Sequence, residues 1–557
     1  MKRQIGLTDS REKWATVKRS DRSQIRFRYR TQWEPLTRLR YAPTPAALLL
    51  AQPFVLFLWL AMGVFPASAQ TAPPAQPIPD PCTSGHEFAT TDCTLTWHGI
   101  TVYGAYDIGV GWVSHGLPEN GYNYEGASLV NRNGFQHRFL VAPNNLQQTG
   151  LGIRGKEEFR PGWSVVFNAS TGINPQSGLL ANASKTDIIN NGLPRSSYSY
   201  AIDGARAGQP FNDEIYAGIS SAHFGTLTFG RQRSLGTDAM LVYDPAGGSY
   251  AFSFIGYNGT MAGGGDTENS RWDDAVKYRF TYGPVHFGAM YKFADGSAGC
   301  YSASSTWSAT TCTPESAHNN AYGFDLGVNY GKFSADIVPQ HYNQAISVLN
   351  PLLGPQSPTQ SFQSTTDSIN TNPITGTNLI DPNDTVYGIV TDNYAIMVAA
   401  KYTWDPFKFF AGYEYIWQNN PKNPLGVGAS DQGGFNMSGV EDNNLDSEKL
   451  VNIWWTGAKY TYRSKTDFTF SWYQQRQNTF RVPPTCVPGN FRSSCAGTLN
   501  EGSFYVDHHF TKRFDGFAGI AYSWVSGGLA IAIPHGPGVP YISNNNFAPT
   551  IGARFTF

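Results

Sequence analysis

Charge is what this 557-residue chain has least of: only 15% of it is Asp, Glu, Lys or Arg, and the formal net charge is −1. That excludes the basic excess of a nucleic-acid binder, and 14% aromatic residues with 58 glycines exclude both a disordered polymer and a helical bundle. Long apolar runs are equally scarce. Beyond residue 70 none reaches 18 residues, which leaves no place for a series of membrane-spanning helices.

One apolar run does stand out, AALLLAQPFVLFLWLAMGVF from Ala46 to Phe65, followed by PASAQ. Gln52 and Pro53 interrupt it, Arg38 and Arg40 precede it, and Ala67, Ser68 and Ala69 form a small-x-small cleavage site. Residues 1–69 therefore read as a signal peptide with an extended basic N-terminus; a bilayer-spanning helix is the alternative. This segment holds 12 of the 40 basic and 4 of the 41 acidic residues, so the exported chain keeps 28 against 37, a net charge of −9. Such a field favours cations and again argues against nucleic acid.

The six cysteines fall in close pairs, Cys82 with Cys93, Cys300 with Cys312 and Cys486 with Cys495. Even count, export and short spacing favour three local disulfides, although spacing alone does not prove the pairing. A metal site is the rival reading, and it lacks both a C-x-x-C and a companion histidine cluster.

After a Pro-rich segment, residues 70–93, the chain alternates. ITVYGAYDIGVGW sets Ile100, Val102, Tyr106, Ile108, Val110 and Trp112 on one face against Thr101, Ala105 and Asp107 on the other. AYGFDLGVNYG, NYAIMVAAKYTW and FKFFAGYEYIW repeat the pattern. Period two is the period of a strand with two unlike faces. Such segments number sixteen, near 94–113, 136–157, 163–173, 212–222, 224–233, 271–282, 284–294, 319–330, 332–343, 391–405, 407–418, 450–463, 466–477, 502–511, 513–525 and 546–557. Tight turns alternate with long loops rich in Gly, Asn, Ser and Thr. These features predict an all-β fold, a transmembrane antiparallel barrel of sixteen strands over residues 94–557, with short periplasmic turns and long extracellular loops. Closure removes the edges that a terminal strand such as PTIGARFTF otherwise exposes, and puts Phe557 on the lipid face. A soluble β-sandwich or propeller is the alternative.

Three stretches go further. TGLGIRGKEEFRPGWSVVFNASTG (149–172), AGISSAHFGTLTFGRQ (217–232) and the terminal GARFTF resemble the general porins of Gram-negative outer membranes, proteobacterial branch, over most of residues 94–557. The resemblance implies a homotrimer of barrels in outer-membrane lipid and lipopolysaccharide, each pore narrowed by its third long loop folding inward. It also implies that the terminal Phe557 is read by the barrel-assembly machinery.

The third loop by strand count is 234–270, and its carboxylates Asp238, Asp244, Asp266 and Glu268 are the expected acids of the constriction, with Asp244 the best match. Opposite them the resemblance and the parity of the strands put Arg154, Arg271, Lys277 and Arg279 on the pore wall. Gly150 and Asp213 stand where the family pattern has basic residues, which weakens anion preference. Arg231 in LTFGRQ has outward parity, and in the family the arginine of this motif lies at the trimer interface, covered by the second loop of a neighbour; here Asp187 and Asp203 are the candidate acids.

The expected function is passive diffusion of small hydrophilic solutes and ions, mildly cation-selective, with neither turnover nor cofactor. The alternative is a substrate-specific channel for a sugar or other nutrient, with Trp455, Tyr473 and Tyr505 as an inward stacking track. Two features suggest an enzyme or a cation site. In DHH (507–509), adjacent strand residues point to opposite faces, so His508 and His509 do not converge on one ion. EDNNLDSE (441–448) reads as solvated loop acids more readily than as a calcium chelate.

Overall fold

The structure is a computed structural model, and it describes residues 81–115, 137–173, 210–258, 271–293, 320–349, 387–420, 445–480, 495–530 and 544–557, with short pieces elsewhere. The chain forms two compact units, Met1–Gln70 and Thr71–Phe557. In the first, Lys13–Thr16 pairs antiparallel with Arg26–Tyr29, and the apolar run 46–65 lies outside the described residues. Among the described residues no helix is long and apolar enough to cross a membrane.

The second unit crosses with strands. Its spanning strands are β1 (Ile100–Val113), β2 (Arg138–Pro143 and Gly150–Arg160), β3 (Trp163–Gly172), β4 (Glu214–Ser221), β5 (Gly225–Arg233), β6 (Arg271–Tyr282), β7 (Val285–Lys292) and β8 (Ala321–Tyr330). The series continues with β9 (Phe333–Leu349), β10 (Tyr387–Trp404), β11 (Phe407–Asn419), β12 (Lys449–Tyr462), β13 (Thr466–Gln477), β14 (Gly497–His509), β15 (Phe514–Gly527) and β16 (Asn545–Thr556). Each pairs antiparallel with its neighbour in sequence, and β16 pairs with β1, so the ring closes with sixteen spans. At the seam Phe557 and Gly104 exchange both backbone hydrogen bonds, at 2.9 and 3.0 Å. The Phe557 ring covers Gly104, where an added Cβ would come within 2.6 Å of it.

Sequence alternation becomes facing. Along β8, Tyr322, Phe324 and Leu326 are exposed while Ala321, Gly323, Asp325 and Gly327 are buried. Bare apolar side chains suit hydrocarbon, and backbone polar groups are satisfied between strands all round the ring, which is the condition for a strand to cross a bilayer.

Two details depart from the uniform segments expected. The first segment breaks at the turn His98–Gly99, with Leu95–Trp97 folded back along β1. The second is interrupted at 144–149, because buried Asp107 of β1 captures the backbone N–H groups of Asn145, Leu146 and Gln147 at 3.0, 2.7 and 3.0 Å. That detour points into the lumen, and Asn144 takes a left-handed backbone (φ 57°) to begin it.

Ahead of the barrel, helix α1 (Gly85–Thr90) is capped by Ser84, whose Oγ accepts from the Glu87 N–H, and is enclosed by the Cys82–Cys93 disulfide. Arg513, in the turn between β14 and β15, stacks over the Phe88 ring at 4.0 Å and donates to the carbonyls of Phe88 and Cys93. The Cys486–Cys495 disulfide is also formed, whereas Cys300 and Cys312 lie outside the described residues.

Candidate pore constriction

After β5 the third long loop turns into the barrel. Ser234 caps helix α2 (Leu235–Tyr243) by accepting from the Thr237 N–H, and Leu235, Ala239, Met240 and Tyr243 are buried against the far wall. A second short helix, α3 (Phe254–Asn258), follows. Apolar contact holds the helix to β8–β12, and polar contacts fix its height. The Gly236 N–H donates to Gln340 Oε1 (3.1 Å), Trp455 Nε1 to the Tyr243 carbonyl (3.0 Å), and the Tyr243 hydroxyl to Asp336 Oδ1 (2.8 Å).

Farther along, Phe252 stacks on Tyr505 with centroids 4.7 Å apart, and Ser503 Oγ donates to the Phe252 carbonyl at 2.6 Å. Ser249 Oγ then donates to the Asn145 carbonyl at 2.5 Å, tying the loop to the β2 detour.

These anchors correct two expectations. Asp244 is only 2% exposed. It accepts from the Tyr473 hydroxyl at 2.6 Å and from the N–H groups of Ala246 and Gly248 at 3.1 and 2.7 Å, so it is a structural carboxylate of the loop and not a charge presented to solutes. Burial pushes its carboxyl above the usual range against the pull of these hydrogen bonds. Trp455, Tyr473 and Tyr505, the candidate sugar track, are buried beneath the loop as its fastenings.

Several charged residues of the wall are paired. Lys277 and Arg279 both reach Asp238 Oδ2, at 2.5 and 2.6 Å, and Arg279 also holds Asp325 at 2.6 Å. Burial opposes the charge on Asp238, but the two cations outweigh it and keep the carboxyl below the usual range. Asp213, which stands where the family pattern is basic, binds Arg271 at 2.6 Å and Arg233 at 3.2 Å. Arg554 of β16 joins Asp515 and Asp507 at 2.6 and 3.2 Å. Arg154 is exposed over the Tyr103 ring at 5.1 Å and has no ion-pair partner among the described residues. Arg233 and Arg554 are wall cations that parity alone did not single out. Asp266 and Glu268 lie outside the described residues.

Between loop and wall remains a cavity of about 510 Å³ lined by Tyr103, Asp213, Arg233, Gly248, Arg271 and Arg554. Thr237, Met240 and Leu241 of α2 close its other side.

Arg231 has the outward parity expected, yet its guanidinium is 4% exposed. Nη1 meets Asp273 at 2.6 Å, and Nε and Nη2 donate to the Asn212 carbonyl at 3.3 and 3.1 Å. A bulge between Trp272 and Ala275 offers that acid, with Asp274 at φ 48°. An acid of the chain itself thus meets this guanidinium, and the candidate acids of the second loop, Asp187 and Asp203, lie outside the described residues.

A closed sixteen-strand barrel, apolar outside, charged inside and narrowed by one of its own loops, is an outer-membrane channel for passive diffusion. A model of the Gram-negative porin family matches residues 60–527, and the chain belongs to that family. An outer membrane porin protein of Bordetella pertussis is 24% identical over 197 residues, 35% of this chain and 43% of that relative, so the match spans less than half of the relative's length. Among solved structures, an anion-selective porin from Comamonas acidovorans superposes with a TM-score of 0.49 at 13% identity, over 82% of this chain and 99% of that one. OmpT, an outer membrane protein of Vibrio cholerae, does so with a TM-score of 0.47 at 12% identity, over 83% and 99%.

Proposed function

We propose that this porin passes small hydrophilic solutes and ions with a mild preference for cations, and that it works without turnover or cofactor. The observation that carries this reading is the neutralisation of the wall: Arg233, Arg271, Lys277, Arg279 and Arg554 each have a carboxylate partner. A basic ladder left bare favours anions. Paired, it leaves discrimination to pore width and to the net −9 of the exported chain. The inaccessibility of Trp455, Tyr473 and Tyr505 weighs against a dedicated sugar channel.

Residues 1–69 are proposed to be removed on export and Phe557 to be the feature read by the barrel-assembly machinery. Three barrels assemble side by side in lipid and lipopolysaccharide, with Arg231 and Asp273 near the contact.

Planar-bilayer reversal potentials in a potassium chloride gradient, with liposome swelling by sugars of graded size, test the proposal. A modest cation preference and a smooth size cutoff support it. An anion preference, or saturation by one sugar, overturns it.

A further inference from the structure

Three neighbouring strands send a histidine and two carboxylates to one point on the lumen wall, at the short-turn end of the barrel. His286 lies on β7, Asp325 on β8 and Asp336 on β9, and the ladder sets Gly327 opposite both His286 and Asp336. Because residue 327 has no side chain, the imidazole reaches across the middle strand, and its Nε2 lies 2.9 Å from Asp336 Oδ1. A Cβ at 327 would come within 2.1 Å of that oxygen and 2.2 Å of Nε2, so the glycine is what lets the two groups meet. Gly288, opposite Asp325, makes similar room for Arg279, whose Nη1 donates to Asp325 Oδ2 at 2.6 Å.

Among the described residues no hydrogen-bond donor meets the other oxygen of Asp325. Its side chain is 2% exposed, and Oδ1 is buried without a hydrogen-bond partner. A buried carboxyl oxygen left so is unfavourable, and what it lacks is a cation or a donor. One ligand atom each from His286, Asp325 and Asp336 lies within 4.8 Å of the others.

One imidazole nitrogen and two carboxylate oxygens are the donor set of a borderline divalent metal, zinc above all, at bond lengths of about 2.0–2.2 Å. The groups that orient such ligands are already present. Arg279 holds Asp325 by its second oxygen, the Tyr243 hydroxyl donates to Asp336 Oδ1 at 2.8 Å, and the Asn329 amide nitrogen lies 3.2 Å from His286 Nδ1. Reversing that amide puts its oxygen against the ring, where it accepts from Nδ1–H once Nε2 has given up its proton to bind the metal. His286 is 17% exposed toward the lumen, which is the way in.

We propose that His286 Nε2, Asp325 Oδ1 and Asp336 Oδ1 bind a divalent transition-metal ion in the pore wall, zinc by donor type, with water completing the shell. Binding expels the proton that Nε2 shares with Asp336, and sets a positive charge beside the constriction loop. A second grouping, Asp507, His509 and Asp515, is a poorer candidate because Arg554 already spans both of its carboxylates, at 3.2 and 2.6 Å.

The test is calorimetric titration of zinc chloride into the purified, untagged protein in detergent. One zinc per chain is expected, with affinity falling at least tenfold in His286→Gln and in Asp325→Asn and unchanged in His509→Ala. Equal binding by wild type and His286→Gln, loss only in His509→Ala, or no binding by wild type overturns the proposal. Should His286→Gln fail to assemble, zinc-edge absorption of the loaded wild type decides: one nitrogen with oxygen donors supports it, an all-oxygen shell sinks it. In bilayers, saturating zinc is expected to shift the wild-type reversal potential toward anions, and an unmoved potential contradicts a site in the pore wall.

Discussion

The hydroxyl of Tyr473 on β13 donates to Asp244 Oδ1 at 2.6 Å, one of the contacts by which the wall of the barrel grips the loop that narrows it. Both groups are buried, so the bond is not exchanged for water at low cost. Tyr473→Phe leaves a buried carboxylate short of a donor and is expected to lose about 1.5–3 kcal/mol. The loop should loosen, giving a larger and noisier single-channel conductance with a lower melting temperature. Conductance and melting indistinguishable from wild type would remove the bond from this role. Asp244→Asn, for the same reason, is expected to leave the reversal potential nearly unchanged.

Asp238 carries the opposite expectation. Its carboxyl is held below the usual range by Lys277 and Arg279 against the effect of burial, so its ionised form stabilises the fold. That contribution is fully present above the unfolded Asp value of about 3.9 and is lost as pH falls through the depressed folded value. The difference in melting temperature between wild type and Asp238→Asn should therefore hold from pH 7 to about pH 5 and close below about pH 4. At neutral pH the substitution uncovers Lys277 and leaves Arg279 with Asp325 alone, so reversal potentials should move toward anions; a shift toward cations would contradict the pairing.

The outward pair Arg231–Asp273 at 2.6 Å makes the bulge of β6 a fixture of the barrel itself. Removing Asp273 takes the carboxylate from a buried guanidinium, with an expected loss of about 3–5 kcal/mol, whereas Arg231→Ala leaves Asp273, 30% exposed and open to water, and loses less; removing both loses less than the sum. A double-mutant cycle on the unfolding of the barrel measures this. If Arg231→Ala lowers only the dissociation temperature of a trimer band and not barrel unfolding, the arginine acts between subunits after all.

Cys82–Cys93 and Cys486–Cys495 close loops of sequence separation 11 and 9. Each is expected to contribute about 2–3 kcal/mol through restriction of the unfolded chain. Mass spectrometry of the unreduced protein should recover both linked peptides and, by the same spacing rule, Cys300 with Cys312; alkylated free thiols at any of these six positions would count against that bridge.

Some local departures had a signal in the chain. The doubled acid in RWDD breaks alternation where β6 bulges, and Asp107 is a charge on a strand that is otherwise apolar and small. Neither tells what it binds. Asp244 lies in the loop that follows β5, yet its burial is not legible in the sequence, since nothing near it announces Tyr473, 229 residues away.

The sequence by itself determined the period of two, the sixteen segments, the tight turns between them and, where alternation is unbroken, the facing of residues toward lipid or lumen. The reason is local: a strand's geometry sends successive side chains to opposite faces, and hydrocarbon accepts only an apolar one. Only the tertiary structure decided which lumen residues meet. Asp213 finds Arg271 across 58 residues, Asp336 finds Tyr243 across 93, and Trp455 finds the Tyr243 carbonyl across 212. Those meetings depend on the path of one loop through a closed ring, and alternation, which assigns a side chain to the lumen, carries no information about what it touches there.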